Sequence, residues 1–258
     1  MIRKFILALI ACTSIAVTSC KNDDNSTSTE TYVDIPLDER HTLDDQAIEQ
    51  YLTQYYFNPI SGRLTAKDTI VGTNPTTGIN DDDYVTLNNL AQKDAKGYWY
   101  VLNPEVNAEG PSITSNTNDS ILISYEVQRF RASSDTSLKY KFLPITTYLS
   151  SLSVGSGTPK YDPYFYNISL IDAQIEAGLK PEYYILENFV EGLKHFKSTN
   201  NDGISQIKLQ GAIILPSRLA YGRNMAFEPN NNYISDQAQR DYSFIISFEL
   251  HKILPRKE

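Results

Sequence analysis

The stretch Tyr242 to His251, YSFIISFELH, fixes more about this chain than any other ten residues. Tyr242, Phe244, Ile246, Phe248 and Leu250 share one parity, while Ser243, Ser247, Glu249 and His251 take the other. Side chains alternate across a strand with period two, so this is a strand with an apolar face and a polar one. Strands of that kind belong to antiparallel sheets with one solvated side. Gly97–Leu102 is aromatic and β-prone, Ile121, Ile123, Tyr125 and Val127 alternate with polar neighbours, and Ile207, Leu209, Ile213 and Leu215 share a parity. Within the series lies one helical pattern, in which Leu186, Phe189, Val190, Leu193 and Phe196 form a stripe opposite Glu187, Glu191, Lys194 and Lys197. One helix against a curved antiparallel sheet is an α+β arrangement.

The N-terminus reads differently. Arg3 and Lys4 precede a short apolar run from Phe5 that thins out by Val17, too short to span a bilayer and typical of a signal peptide. It ends in Val17-Thr18-Ser19-Cys20, which resembles the lipobox of bacterial lipoproteins. That resemblance implies cleavage before Cys20 and attachment of lipid to it, which would anchor the chain in the cell envelope as an outer-membrane lipoprotein facing the periplasm or the cell surface. Cys12 falls within the removed segment, so the mature chain would hold no thiol for a disulfide or a nucleophile. Residues 20–41 read as a flexible lipid-anchored tether. Residues 42–95 read as a helix capped by Asp44 or Asp45, with Ile48, Tyr51, Leu52 and Tyr55 on one face, closed by Pro59 and followed by a polar loop around Asp81-Asp82-Asp83. Those three acids lack the alternate spacing and closing glutamate of a calcium loop and read as solvated. His41, His195 and His251 are scattered without ligand spacing, so no metal site is expected, nor any cofactor. A net charge of −8 argues against nucleic-acid partners.

The segment LPSRLAYG, Leu215 to Gly222, poses a question. A strand exits into Pro-Ser and presents a tyrosine before a glycine at the mouth of a long polar loop. Together with ILENFVEGLKHFK (Ile185–Lys197) and FIISFELHKI (Phe244–Ile253) upstream and downstream of it, this segment resembles the FKBP-type peptidyl-prolyl isomerases. DSILISYEV (Asp119–Val127) is similar to that family's first long strand, and YDPYFYNISL (Tyr161–Leu170) to its Phe-Asp segment; the likeness covers roughly residues 97–254. The resemblance implies an FKBP-like domain over 96–258, a curved antiparallel sheet wrapped around one amphipathic helix, with an N-terminal helical appendage. That appendage resembles stalk segments that promote dimers.

The resemblance also implies a pocket for proline-containing polypeptides. Tyr221 would stand on its rim as a hydroxyl donor, Asp162 beside it, and Leu186 would offer its backbone N–H. Tyr125, Tyr161, Ile185, Phe189 and Ile246 would form floor and walls. Taken one at a time, Phe189 and Ile246 read more readily as core. Phe189 replaces the family's tryptophan and Ile246 its closing aromatic, which predicts reduced isomerase activity. The alternative is a non-catalytic FKBP-like chaperone or protein-binding lipoprotein. An insertion over 131–160 either adds a strand and helix beside the pocket or covers it, and a second insertion, Ile171–Lys180, precedes the helix.

Overall fold

The computed structural model describes residues 34–153, 156–201 and 208–256. The signal segment 1–19, Cys20 and the tether up to residue 33 lie outside the described residues. Residues Ile35–Glu258 form one compact unit. Among the described residues no helix is long and apolar enough to cross a membrane.

The fold is mixed, with few helices and a seven-stranded sheet in which every pairing is antiparallel. Its strands in chain order are β1 (Ala91–Lys93), β2 (Trp99–Leu102), β3 (Asp119–Phe130), β4 (Thr146–Ser150), β5 (Lys160–Tyr161), β6 (Gly211–Leu215) and β7 (Ser243–Pro255). They lie side by side as β1-β2-β6-β7-β3-β4, and β5 pairs with the early part of β3. The alternating segment at the C-terminus is the central strand β7. Its register sets Ile246 between Ile213 of β6 and Val127 of β3, and Phe248 between Gly211 and Tyr125.

The helices are α1 (Leu37–Gln54), α2 (Asp172–Glu176) and α3 (Glu187–Leu193). The stripe Leu186, Phe189, Val190, Leu193 and Phe196 is buried against one sheet face, together with Tyr125, Ile213, Phe244, Ile246 and Phe248. Gly192 permits the approach, because a Cβ there would come within 2.9 Å of Ile213 Cδ1. That closeness explains a glycine inside a helix, where it costs about 1 kcal/mol relative to alanine.

The opposite face of the sheet is not solvated, contrary to the expectation from the polar parity of β7. Ser243, Ser247, Glu249 and His251 are all buried. The reason is α1, whose Ala47, Ile48, Tyr51 and Leu52 pack against Trp99, Val101, Ile214 and Ile245 and form a second core. Beyond that core the polar side chains bond to one another: His251 Nε2 lies 2.8 Å from Ser124 Oγ, and Glu249 accepts from Thr199 and Asn201. The expected appendage is therefore an integral layer over the sheet.

Helix α1 begins at Leu37, inside the stretch expected to be tether, with Pro36 at its cap. It ends before Tyr55, which opens a short hairpin (Tyr55–Phe57 with Leu64–Ala66) instead of closing the helical stripe. Asp44 is no cap; it is a buried residue of the helix interior. Its carboxylate accepts from the backbone N–H and the hydroxyl of Ser217, at the exit of β6, and stands 3.7 Å from Arg40. Arg40 donates to the Ala132 carbonyl and faces Asp241, which Arg223 also holds. The acids at 81–83 also do more than stay wet. Asp81 is buried and accepts from the Asp68 N–H, and Asp82 accepts from the Gly72 N–H.

Burial raises the Asp44 carboxyl to about 6, against the bonds from Ser217 and the charge of Arg40. A folded-state pKa above the unfolded value of 3.8 means that the folded chain binds the proton more tightly. The stability that the group contributes is thus fully present below pH 4 and is lost as pH rises towards 6. Denaturant titrations at steps between pH 4 and 7 are expected to show that loss in the native chain relative to Asp44→Asn, whose amide does not titrate in that window.

Candidate functional site

The turn that follows β6 answers why a tyrosine and a glycine close LPSRLAYG. Ser217–Leu219 form one tight helical turn, and Gly222 adopts a positive φ of 59° that lets its N–H return to the Ser217 carbonyl. The reversal points Tyr221 inward. It is 3 % exposed, its ring meets Phe244 edge to face at 5.7 Å, and its hydroxyl donates to the backbone carbonyl of Tyr184 at 2.5 Å. Burial, and then the nearby Tyr148, push its pKa well up, so it stays a neutral donor.

The other residues fall into two groups. Tyr125, Leu186, Phe189 and Ile246 join Tyr221 in one buried cluster between α3 and the sheet, with Ile185 half-buried at its margin. Phe189 lies at the bottom, edge to face with Phe248 at 5.8 Å and with Phe165 at 5.4 Å. The Leu186 N–H, expected as a free donor, is bonded to the Phe165 carbonyl at 2.8 Å.

Asp162 and Tyr161 do not join the cluster. Asp162 takes a positive φ of 41°, and its carboxylate accepts from the Ser120 hydroxyl, the Ile121 N–H and Arg256. It ties the start of β3 to the end of β7. Tyr161 is 59 % exposed on the short edge strand β5. The strained turn at Asp162 swings the chain so that Phe165, three residues on, enters the core in place of Tyr161 and meets Tyr125 edge to face at 4.9 Å.

Four aromatic residues that the sequence did not single out pack beside this cluster. Among its described residues the 131–160 insertion holds no helix; it adds the edge strand β4, whose Tyr148 packs on Phe244 at 5.4 Å and donates its hydroxyl to the Phe227 carbonyl. Phe227, on the loop after Tyr221, packs in turn on Tyr184 at 5.0 Å and on Tyr164 at 5.4 Å. The insertion therefore adds Tyr148 to the buried cluster. In the second insertion, α2 leaves Ile171 and Ile175 exposed. Among the described residues a groove of about 380 Å³ is lined by Tyr221 together with Ile185, Leu219, Met225, Glu182 and Glu187.

No family model matches the chain, and no curated protein does. Solved structures do. The chain is similar to FkpA from Escherichia coli, with 14% identity and a TM-score of 0.32, over 64% of this chain and 52% of that one. It is also similar to a peptidyl-prolyl cis-trans isomerase from Pseudomonas syringae pv. tomato, with 11% identity and a TM-score of 0.38, over 86% of this chain and 98% of that one. The chain thus spans about half the length of the former.

Because the Tyr221 hydroxyl satisfies a buried carbonyl, Tyr221→Phe should leave the Tyr184 oxygen without a partner. A loss of about 1–3 kcal/mol is expected from urea midpoints at constant m. An unchanged midpoint would mean that the Tyr184 carbonyl is satisfied without Tyr221.

Proposed function

We propose that the chain is an FKBP-type peptidyl-prolyl isomerase of reduced activity, acting on exported polypeptides from a lipid anchor at Cys20. One observation carries this reading. Tyr125, Leu186 with Phe189, Tyr221 and Ile246 come from four separate segments, and they meet in one water-poor cluster between α3 and the sheet. Those are the positions that the motif resemblance assigns to a proline pocket.

Isomerisation of an X–Pro bond needs no nucleophile. The planar amide must twist over a barrier of about 18–20 kcal/mol. An apolar hollow with one or two N–H or O–H donors binds the twisted, less charge-separated state better than the planar one. Here the two donors, Leu186 N–H and Tyr221 O–H, are held by the chain's own carbonyls. Freeing two such bonds costs about 2 kcal/mol at about 1 kcal/mol net each. The open form is then about one molecule in thirty, and the apparent activity falls by the same factor. That closure also favours a second reading, a non-catalytic binding module that engages proline-containing segments by the same opening.

Tyr148 holds the closure through Phe227 and Tyr184. A protease-coupled assay on an Ala-Ala-Pro-Phe anilide should show weak acceleration by the native chain. Tyr148→Ala should raise kcat/KM several-fold by loosening the cover, while lowering stability by about 3 kcal/mol or more. If neither protein exceeds the uncatalysed rate, the binding module replaces the enzyme. Metabolic labelling with palmitate should mark the native chain and leave Cys20→Ala unlabelled.

A further inference from the structure

The groove lined by Tyr221 has a neighbour. A second hollow, of about 300 Å³, shares Ile185, Glu187 and Asn188 with it at the start of α3. The shared residues join the two into one surface path. Tyr221 lines that path and also belongs to the buried cluster, and Ile185 packs at the cluster's margin. Residues of an extended chain advance only about 3.3–3.6 Å each. A segment whose proline entered the cluster would therefore carry its flanking residues onto this path.

The lining is apolar and negative. Ile185, Leu219 and Met225 line the first hollow and Val190 the second. Met225 is 40 % exposed, and a flexible thioether at a surface adapts to different side chains. Glu182 and Glu187 line the first hollow with no base beside them in its wall. In the second, Lys96 and Glu191 bond each other at 3.0 Å, and Lys194 takes the other Glu191 oxygen at 2.7 Å, so those charges are spent. Among the described residues no cation pairs with Glu187. Glu182 has only Lys180, at 3.7 Å, with both side chains more than half exposed. The surrounding sequence has the same sign: Asp172, Glu176, Glu182, Glu187 and Glu191 stand against Lys180 alone from Ile171 to Glu191.

That charge narrows what the path can take. Phosphate-bearing ligands are repelled, and no group of three or more metal-binding side chains occurs among the described residues. A lysine or arginine fits both parts of the lining. Its aliphatic stem lies along apolar surface while its charged head stays wet beside a carboxylate.

We propose that this path selects prolyl segments that carry Lys or Arg within a few residues of the proline, with Glu182 and Glu187 as specificity-determining residues. The assignment rests on the reading of the cluster as a pocket for proline-containing polypeptides, and it leaves Tyr221 and Leu186 as the donors. Between segments that fill the cluster equally, charge decides. Exposed ion pairs change affinity by about 1.5- to fivefold each, so the preference is modest.

Dye-labelled peptides Ala-Xaa-Ala-Pro-Ala-Xaa-Ala, with Xaa as Lys, Gln or Glu, test this by fluorescence anisotropy. Native protein at low salt should bind the Lys peptide about fivefold more tightly than the Gln peptide, and the Glu peptide most weakly. The Lys-to-Gln ratio should fall towards one in the Glu182→Gln/Glu187→Gln variant, and in native protein at about 0.5 M salt, where the Debye length is only a few Å. Thermal melts of the variant check its fold, and the salt series decides on native protein alone should it melt lower. If the three peptides bind native protein equally, the charge assignment is overturned and the pocket reading stands. A Lys preference that survives the substitutions in a folded variant, or survives salt, likewise overturns it. If the Lys peptide binds as well with alanine in place of its proline, the pocket reading falls and the assignment of a prolyl client falls with it. Binding of none of the peptides, even to Tyr148→Ala, sinks both.

Discussion

The contact on which the site geometry depends joins residues far apart in sequence: the Asp44 carboxylate and the N–H and hydroxyl of Ser217. Asp44 belongs to the helix on one face of the sheet, and Ser217 starts the turn that ends in Tyr221 on the other. Two donors fixed by a buried carboxylate leave that turn little freedom, and the Ser217 carbonyl then receives the Gly222 N–H. The position of Tyr221 is thus set from across the sheet. The cost is a desolvated carboxylate, offset by Arg40 and the wider pairing of Asp241 with Arg40 and Arg223. Buried ion pairs seldom add net stability, though removing one member leaves an uncompensated charge. Their service here is geometric: they settle where α1 lies and, through it, which way Tyr221 points.

Against that fixed frame the mouth of the pocket is held by weaker means. Tyr148 bonds Phe227, Phe227 packs on Tyr184, and the Tyr184 carbonyl receives Tyr221. Each link is one hydrogen bond or one ring contact, about 0.5–1.5 kcal/mol apiece. The sum is small beside the two cores that flank the sheet, so the closure can yield while the fold persists. A rigid bed under a loosely tied cover is in keeping with the polypeptide-binding site proposed above.

Periodicity was enough to read the sheet, its central strand and the stripe of α3, because burial writes a period of two or 3.6 into the residues themselves. It misled on the far face. Ser243, Ser247, Glu249 and His251 look like a solvated parity, and only the path of α1 and the loops shows them covered. The start of α1 was obscured because Leu37 to His41 is as polar as the linker before it. Tyr125, Leu186, Phe189, Tyr221 and Ile246, which the motif resemblance drew together, do share one buried cluster. Tyr161 and Asp162 were misplaced for a local reason: a positive φ at a non-glycine residue is not written in the sequence, and it shifted the aromatic that enters the core to Phe165. Tyr148 and Phe227 carry no local signal, because their roles follow from how an inserted strand and a long loop meet in space.

That meeting gives the insertion a double part. An edge strand exposes unpaired backbone groups and invites unwanted pairing. Strand β4 extends the sheet beyond β3 and satisfies part of the β3 edge, and the short β5 pairs with its beginning. The same strand delivers Tyr148 to the pocket, so the segment that protects the sheet edge is also the one that shuts the site. Closing a hollow lined by Phe189, Phe165 and Ile246 keeps apolar surface from water when no polypeptide is bound, and aromatic surface left open would favour association with other exposed chains. Under the proposed function, occupancy by the chain's own rings and occupancy by a prolyl segment are competing states of one apolar space. The affinity for any segment is set by how much better it fills that space than Tyr148, Tyr184 and Phe227 do.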